Sequence, residues 1–331
     1  MKVLVCGGAG YIGSHAVMEL LAQGYEAVVF DNLEKGHRLA VPEGVPLIVG
    51  DLRHAEDIDK AFAAHQIDAV IDFAAYSIVG ESMSEPLKYF ENNFGGTLNL
   101  LRAMDKHNVR YIVFSSTAAA YGEPENSPIQ ESAPTIPTNP YGESKLCVEK
   151  MLKWVEQAYG VHYAVLRYFN VAGAHISGTI GEDHNPESHL IPIVLEAAQG
   201  KRNAVSIYGD DYPTPDGTCI RDYIHVTDLA DAHILALKYI MKNNCAVTYN
   251  LGNGQGFSVK EIVEVARKVT GVDIKTEVAP RRPGDPSILV ASSQRIMAEL
   301  GWTPRYHQLE KIIETAWVWH KNHPNGYGDR E

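Results

Sequence analysis

Residues 1–13 read MKVLVCGGAGYIG, and this opening stretch decides the fold. The apolar run Lys2–Cys6 has the length and composition of a buried β-strand, and the glycine-rich turn Gly7–Gly13 follows it directly. Glycines permit a sharp turn and a close approach of backbone to a ligand, and the N-terminus of the following helix attracts phosphate. We therefore predict a dinucleotide-binding turn. Its expected cofactor contacts are Gly7, Gly10, Tyr11, Ile12 and Gly13.

An acidic residue follows this turn at the spacing that dinucleotide binding requires. Asp31 lies 18 residues beyond Gly13, at the end of the second predicted strand, where a carboxylate can accept from both hydroxyls of a ribose. The same carboxylate would repel a 2′-phosphate, so the pattern predicts NAD and not NADP. Asp51 ends the third strand and could accept from the adenine amino group, although an aspartate there could equally cap a helix.

The first half of the chain alternates short apolar runs with longer helical patterns. The predicted strands are Lys2–Cys6, Ala27–Phe30, Leu47–Val49, Ala69–Phe73, Tyr111–Ser115 and Tyr163–Arg167. The predicted helices are Tyr11–Ala22, Ala55–His65, Pro86–Asn108 and Glu143–Tyr159. Near-continuous apolar strands that alternate with helices predict an α/β fold: a Rossmann-like, doubly wound parallel sheet with helices on both faces.

A second, smaller region begins after about residue 174, where Pro, Gly, His and Asn become dense. We predict that residues 1–174 form the dinucleotide-binding domain and that residues 219–250 return to it. Residues 175–218 and 251–331 are then expected to form a smaller mixed α/β substrate domain, with a helix at Val259–Thr270.

Charge and cysteine usage exclude several classes of partner. The chain of 331 residues carries a formal charge of -12, which disfavours nucleic acid and anionic membranes as partners. Its four cysteines are widely spaced, as expected of buried thiols in a reducing cytoplasm. The 14 histidines show no H-E-x-x-H spacing, so no metal site is predicted.

The stretch Tyr141–Lys145 predicts the chemistry. Tyr141 and Lys145 are four residues apart and would share one helix face. A nearby ammonium, joined by a positive nicotinamide ring, should lower the pKa of Tyr141 so that its phenolate can act as a general base. Lys145 could also bind the nicotinamide ribose. Thr117, after the fifth strand, is expected to bridge the tyrosine and a substrate oxygen, with Ser116 as its competitor.

These motifs resemble the extended short-chain dehydrogenase/reductase family and, within it, the UDP-galactose 4-epimerases. The resemblance covers essentially the whole chain. The segments that carry it are Gly7–Gly13, Phe73–Ala75, Val79–Ser82, Asn92-Asn93, Gly96-Thr97, Ser116-Thr117, Tyr141–Lys145, Arg167–Asn170, Gly173–His175, Tyr212–Thr214, Asp216–Thr218, Arg221–Val226 and Arg281–Asp285.

The resemblance implies reversible interconversion of UDP-galactose and UDP-glucose through a 4-keto sugar, with NAD tightly bound, in a homodimer packed through helices such as Pro86–Asn108 and Glu143–Tyr159. Tyr141, Lys145 and Thr117 would be catalytic. Besides the glycine turn, the implied cofactor contacts are Asp31, Asn32, Asp51, Leu52, Phe73, Ala74, Ala75, Asn92, Ser115, Tyr141, Lys145 and Tyr168. The implied contacts of the UDP-sugar are Thr117, Tyr141, Asn170, His189, Leu190, Arg221, Arg282 and Asp285.

Several departures from the family pattern leave alternatives open. Ser77 replaces a lysine that contacts the cofactor, and Thr117 replaces the serine common at its position but keeps the hydroxyl. Leu289 stands where some members have a tyrosine that closes the sugar pocket. The smaller side chain would leave room for a 2-acetamido sugar. Ala118-Ala119 replace the acid and base of the 4,6-dehydratases, and the glutamate of the decarboxylases next to the threonine is also absent, which argues against both activities. A 4-epimerase of pentose or uronate UDP-sugars and a non-catalytic dinucleotide-binding regulator are the remaining alternatives.

Overall fold

A seven-stranded parallel sheet organises the larger part of the protein. The computed structural model describes residues 1–282 and 285–329, and within these ranges the order of the sheet is β3-β2-β1-β4-β5-β6-β11. Its strands are β1 (Lys2–Cys6), β2 (Glu26–Asp31), β3 (Leu47–Val49), β4 (Ala69–Asp72), β5 (Tyr111–Thr117), β6 (His162–Tyr168) and β11 (Val247–Leu251). Every neighbouring pair is parallel.

Helices cover both faces of this sheet, which explains why its strands are apolar throughout. In β1, Val3 and Val5 join the core beneath α1 (Tyr11–Ala22) and α8 (Val226–Asn243), whereas Leu4 and Cys6 join the core on the opposite face. All four side chains are fully buried. The opposite face carries α2 (Ala55–Ala64), α5 (Gly96–Lys106) and α6 (Pro140–Tyr159). The predicted doubly wound α/β fold is confirmed.

The strand order reverses between β1 and β4, and this position determines where a ligand can bind. The chain moves outward from β1 to β2 and β3, and then crosses back to β4, β5 and β6 on the other side. The two loops that leave β1 and β4 therefore diverge and open a crevice at the carboxyl ends of the strands.

Several predicted boundaries differ from the structure. Strands β2 and β6 are each one residue longer at both ends than predicted, and β4 and α2 each end one residue earlier. Strand β5 continues to Thr117 and not Ser115, and α6 begins at Pro140 and not Glu143. The segment predicted as one helix, Pro86–Asn108, consists of α4 (Pro86–Tyr89), a π-helical stretch Phe90–Gly95 and α5, which ends at Lys106. A short helix, α3 (Val79–Ser84), precedes it.

A smaller region packs around a core made by three helices. These are α7 (Leu190–Ala198), α9 (Val259–Thr270) and α11 (Leu309–Asn322). The remaining elements are β7 (Asn170–Ala172), β8 (Val205–Tyr208), β9 (Ile220–Arg221), β10 (Tyr223–His225), β12 (Phe257–Ser258), β13 (Thr276–Ala279), β14 (Ile288–Leu289) and α10 (Gln294–Leu300). The domain boundaries given above stay a prediction.

The C-terminal segment closes over the loop that follows β2. The carboxylate of Asp329 accepts from the backbone N–H of Leu39 at 3.1 Å and lies 2.6 Å from Nδ1 of His37. Tyr327 binds the backbone of Gly181 through its hydroxyl. In the described part of the chain, no helix is both long and apolar enough to cross a bilayer.

Candidate active site

The glycine turn and the loops after β2, β3 and β4 line a cleft at the carboxyl ends of the strands. An added Cβ at Gly13 would lie 2.1 Å from the carbonyl oxygen of Gly7, so the turn closes this tightly only with glycine there. Ten of the predicted cofactor residues line the cleft: Gly7, Gly10, Asp31, Asn32, Asp51, Leu52, Phe73, Ala74, Ala75 and Asn92. The glycine turn and the N-terminus of α1 both fit an elongated diphosphate-bridged dinucleotide such as NAD.

Asp31 is held in place by the backbone of the turn it faces. Its two carboxylate oxygens accept from the N–H of Ala9 at 3.0 Å and of Leu33 at 2.9 Å. Burial raises its pKa, and these two N–H donors partly oppose that rise. Because each oxygen keeps a further lone pair, the fixed carboxylate can still accept from ribose hydroxyls.

The far end of the cleft carries a charged network that the sequence patterns did not reveal. Asp51 accepts from the Arg53 guanidinium at 2.6 Å and from Asn32 Nδ2 at 3.0 Å, and the bond from Arg53 holds the pKa of Asp51 well below its usual range. Tyr76 donates to Glu34 at 2.6 Å, and Glu34 also pairs with Arg53. Asp51 is thus a member of a network and not an isolated helix cap.

The first turn of α6 presents Tyr141 at the exit of β5. Asn139 caps this helix, because its side-chain oxygen accepts from the N–H of Gly142 at 2.9 Å. A Cβ at Gly142 would lie 2.5 Å from the carbonyl oxygen of Ala119, so glycine is needed for the helix to approach the turn after β5 this closely. This approach brings the side chain of Tyr141 into a hydrogen bond with that of Thr117.

Lys145 lies one turn further along α6 and is buried. Its Nζ donates to the backbone carbonyl of Ser115 at 2.9 Å. Burial lowers the pKa of Lys145 to about 8, and the nearby carboxylates of Asp72 and Glu149 partly offset this effect. The ammonium is therefore held at the end of β5, beside the Tyr141–Thr117 pair.

The prediction that Lys145 lowers the pKa of Tyr141 is wrong for the protein without bound cofactor. Burial raises the pKa of the Tyr141 phenol, and the hydrogen bond with Thr117 only partly opposes that rise. Lysine is directed at the Ser115 carbonyl, so its charge does not outweigh the loss of solvent around the phenol.

The structure separates the two competing hydroxyls, because successive side chains of β5 face opposite sides of the sheet. Ser116 is fully buried and donates to Glu149 at 2.5 Å. Glu149 also accepts from the Arg167 guanidinium at 3.0 Å, in a buried ion pair. Thr117 is thus the hydroxyl beside Tyr141, whereas Ser116 belongs to an internal polar cluster.

His233 is a neighbour of this site that the motifs did not indicate. It is fully buried on α8, with Nδ1 2.8 Å from the carbonyl oxygen of Leu229 and Nε2 2.8 Å from the hydroxyl of Ser115. A carbonyl only accepts, so Nδ1 carries the proton and Nε2 accepts from Ser115. The hydroxyl of Tyr168 bonds to Ser115 in turn, and the ring of Phe73 lies 4.7 Å from that of His233.

The predicted substrate residues have different local partners and, unlike most of the predicted cofactor residues, do not line the cleft described above. Arg221 and Asp285 form an ion pair with each other, and the guanidinium of Arg282 lies 4.0 Å from the ring centre of Tyr208. Asn170 Nδ2 donates to the backbone of Asp222 at 3.1 Å. His189 occupies the N-cap position of α7 without a side-chain capping hydrogen bond, and Leu190 begins the helix. Among the remaining cofactor predictions, Tyr11 donates to the carbonyl of Gly173 at 2.6 Å, and Ile12 packs against the core.

Comparison with protein families matches residues 3–252 to the NAD dependent epimerase/dehydratase family. The chain belongs to this family. It is 59% identical over 327 residues to the UDP-glucose 4-epimerase of Halalkalibacterium halodurans, which covers 99% of this chain and 98% of that protein.

Two solved structures of UDP-glucose 4-epimerases are similar to this member of the epimerase/dehydratase family. The protein from Brucella ovis, in complex with NAD, has a TM-score of 0.93 at 46% identity and covers 96% of this chain and 97% of its own. The protein from Bifidobacterium longum, in complex with NAD+ and UDP, has a TM-score of 0.92 at 40% identity, with coverage of 99% and 100%.

The two chemistries in the family's name make different demands on the residues after Thr117. In addition to the oxidation at C4, a dehydratase needs a base that removes the C5 proton and an acid that protonates the hydroxyl leaving C6. Ala118 and Ala119 begin the 3₁₀ turn Ala118–Tyr121 and carry no titratable group. The site is therefore equipped for the epimerase side of the epimerase/dehydratase family.

Proposed function

We propose that this chain is an enzyme that interconverts UDP-galactose and UDP-glucose by transient oxidation at C4 of the sugar. The observation that carries the proposal is the placement of Tyr141. Its side chain is bonded to Thr117 and lies one helical turn from the buried Lys145, at the carboxyl end of β5. Relatives named UDP-glucose 4-epimerase that match over nearly the full chain support it.

NAD is the cofactor that this site fits, and the chain would hold it along the cleft. Gly7–Gly13 and the N-terminus of α1 would bind its diphosphate, and Asp31 its adenosine ribose. Asn32, Asp51 and Leu52 would surround the adenine, and Phe73–Ala75, Asn92, Ser115 and Tyr168 the nicotinamide half. When bound there, NAD would supply the hydride acceptor and donor for the sugar carbon.

Tyr141 takes the proton of the sugar 4-hydroxyl and later returns it. Because burial raises its pKa, the phenol needs a positive charge close by before it can lose its proton at neutral pH. Thr117 orients the phenol and the sugar oxygen toward each other. Lys145 lies on the same side of α6 and contributes positive charge and a donor for the nicotinamide ribose.

The substrate must be held by its nucleotide diphosphate and not by its hexose, because the keto sugar has to turn over between the two halves of the reaction. Arg221 and Arg282 have guanidinium groups suited to phosphate oxygens. Asp285 would accept from the uridine ribose, while Asn170 and the backbone at His189 and Leu190 would contact the sugar or the phosphates. In the structure Arg221 is paired with Asp285, so we propose that substrate phosphate replaces this internal partner.

The first test is an assay of the purified, tag-free protein with UDP-galactose and no added NAD, in which UDP-glucose is measured with a coupling enzyme specific for it. We expect conversion, because the cofactor is carried by the protein and regenerated in each cycle. Absence of conversion, with or without added NAD, would contradict the proposal and direct attention to pentose and uronate UDP-sugars. A protein that retains NAD and acts on no UDP-sugar would instead be a binding protein.

Leu289 favours a second substrate class. It pairs in register with Arg221 across β14 and β9, so its side chain borders the proposed phosphate site. Leucine is smaller than the tyrosine that some family members have here, which leaves room for a 2-acetamido group. We expect measurable activity on UDP-N-acetylgalactosamine, and replacement of Leu289 by Tyr should remove that activity while UDP-galactose is still converted. No turnover of the acetamido sugar by the wild type would rule this out.

A cytoplasmic homodimer is part of the proposal. Apolar side chains on the helices expected to form the interface are exposed, with Leu87 of α4 81% exposed and Trp154 of α6 72% exposed. Burial of such groups against a second copy would stabilise the pair. Light scattering should give twice the chain mass, and Trp154→Glu should shift it toward the monomer. The four free thiols, Cys6, Cys147, Cys219 and Cys245, support the reducing compartment.

A further inference from the structure

Four potential metal ligands converge in the loop before α7. Their spacing is Glu-x-His-x-x-Glu-x-His, which differs from the H-E-x-x-H pattern sought in the sequence. We call them the Glu/His cluster; they are Glu182, His184, Glu187 and His189. One ligand atom from each lies within 4.8 Å of all the others. From this geometry we propose that the Glu/His cluster binds one divalent ion of the zinc class, which replaces the expectation that the chain has no metal site.

The distances within the cluster suit such an ion. Nδ1 of His184 and Nδ1 of His189 lie 3.1 and 2.9 Å from the same oxygen of Glu182. Glu187 lies 3.1 Å from His189 and 3.8 Å from His184. Four ligands bound at 2.0–2.2 Å around a tetrahedral ion are roughly 3.3–3.5 Å apart, so small side-chain movements would complete the site.

Charge gives a second reason, independent of distance. The side chains of both glutamates are only 5% exposed, and buried carboxylates require compensating positive charge. One dication would supply that charge between the two carboxylates, and the two imidazoles, with ring centres 5.1 Å apart, would complete its set of ligands.

The ligand types select the class of ion. Two imidazole nitrogens with two carboxylate oxygens suit zinc and its neighbours, whereas calcium and magnesium prefer oxygen ligands alone. The surroundings already orient the ligands. The backbone carbonyl of Glu182 accepts from the Trp319 indole at 3.1 Å, and Glu187 accepts from the N–H groups of Ser188 and His189 at 2.7 Å each.

The ion would fasten this loop to the rim of the nucleotide cleft. The ring of His184 packs edge-on against Tyr11 of the glycine turn, with centres 6.2 Å apart, and His189 is the residue before the first turn of α7. Metal coordination uses the side chain of His189, which leaves the backbone at His189 and Leu190 available for the contacts proposed above. The role is one of fixing the loop, and no step of the proposed reaction depends on it.

The test uses tag-free, chelator-treated full-length protein titrated with Zn2+ by calorimetry, with bound metal counted by mass spectrometry. We expect one saturable site per chain and a rise in Tm. The variant His184→Ala/His189→Ala should lose more than about 100-fold in affinity, since disturbing even an outer-shell partner typically costs 10–100-fold. The matched control is His54→Ala/His107→Ala, whose histidines also face carboxylates, on a distant surface. It should bind as the wild type does.

A wild-type protein without a saturable Zn2+ site would overturn the proposal, as would unchanged affinity in the double variant of the cluster. If that variant fails to fold, the visible spectrum of Co2+ bound to the wild-type protein provides the test instead. Intense visible bands of tetrahedral Co2+ are expected, and only the weak bands of octahedral Co2+ would contradict the site. Activity with UDP-sugars is measured separately, so failure here leaves the epimerase proposal intact.

Discussion

Three successive hydroxyl residues at the end of β5 take three different partners. Ser115 donates to His233, Ser116 to Glu149, and Thr117 bonds to Tyr141. The sequence indicates a hydroxyl cluster at a strand end, and strand alternation puts Ser116 on the opposite face from its neighbours. The sequence does not reveal the contact between Ser115 and His233, because these residues are 118 positions apart and meet only through the packing of α8 on the sheet.

Because Ser116 and Thr117 have different partners, we expect opposite consequences from substituting each of them. Thr117→Val removes the hydroxyl beside Tyr141 at little change in volume, so we expect turnover to fall about 100-fold with stability nearly unchanged. Ser116→Ala leaves Glu149 with one donor fewer in a buried site, so it should cost about 1–3 kcal/mol of stability and spare the chemistry. Steady-state kinetics and urea unfolding of both variants make the comparison. Equal kinetic effects would contradict the assignment.

Tyr141→Phe removes the proposed general base while keeping the ring. Proton transfer by a positioned side chain typically contributes 10²–10⁴-fold, so turnover should fall by about that amount. NAD should stay bound, because the phenol is a small part of its binding site, and bound cofactor can be measured after denaturation. Tyr159→Phe is the control at the exposed end of the same helix. Near wild-type turnover in Tyr141→Phe would require another base.

At the scale of the elements, the α6 start and the π-helical stretch Phe90–Gly95 are where the structure departs most from the sequence expectation. The side chain of Asn93, in this stretch, exchanges two hydrogen bonds with the backbone of Tyr76 and donates to Ser144 of α6. The wider π-helical turn changes the direction of the side chains in this stretch, and the spacing of apolar residues in the sequence does not reveal that change. Regular elements such as β1, α1 and α9 were predictable to the residue, because periodicity and flanking turns both mark their ends.

Gly142→Ala tests the close approach of α6 to the turn that follows β5. The added Cβ would meet the Ala119 carbonyl at 2.5 Å, so the helix start must move away. We expect a loss of about 1–3 kcal/mol in stability and about 100-fold in turnover, since a displacement near 1 Å can cost that much. Gly95→Ala is the control, because its Cβ would meet nothing closer than 3.8 Å. Equal activity of the two variants would show that the contact does not position Tyr141.

At the scale of the whole molecule, buried histidines couple folding to pH. His15, His225 and His233 are all nearly or fully buried, and burial lowers the pKa of each, to about 3, 3 and 4. Below pH 6.5 the unfolded chain takes up protons at these positions that the folded chain does not. Their contribution to stability is therefore present at neutral pH and is lost as the pH falls.

His233→Gln isolates one of these groups. The pKa of His233 is 6.5 in the unfolded chain and about 4 in the folded protein. Acidification through this range should therefore lower the free energy of unfolding of the wild type, by about 2 kcal/mol at pH 5. The variant should lack this part of the pH dependence, whatever its stability at pH 7.5. Urea unfolding at pH 7.5, 6 and 5 measures the slope, and His54→Gln on the surface is the control. Parallel slopes for wild type and His233→Gln would contradict a neutral buried imidazole.

The contact of Asp329 with His37 and Leu39 has a consequence during synthesis on the ribosome. Strands β1 to β6 are all translated before residue 169, so most of the sheet can assemble while the chain is still being made. The rim beside β2 cannot be completed until Asp329 has left the exit tunnel, since Asp329 supplies part of it. A nascent chain that has not yet reached residue 329 would therefore carry a nearly complete sheet with an unfinished cofactor rim.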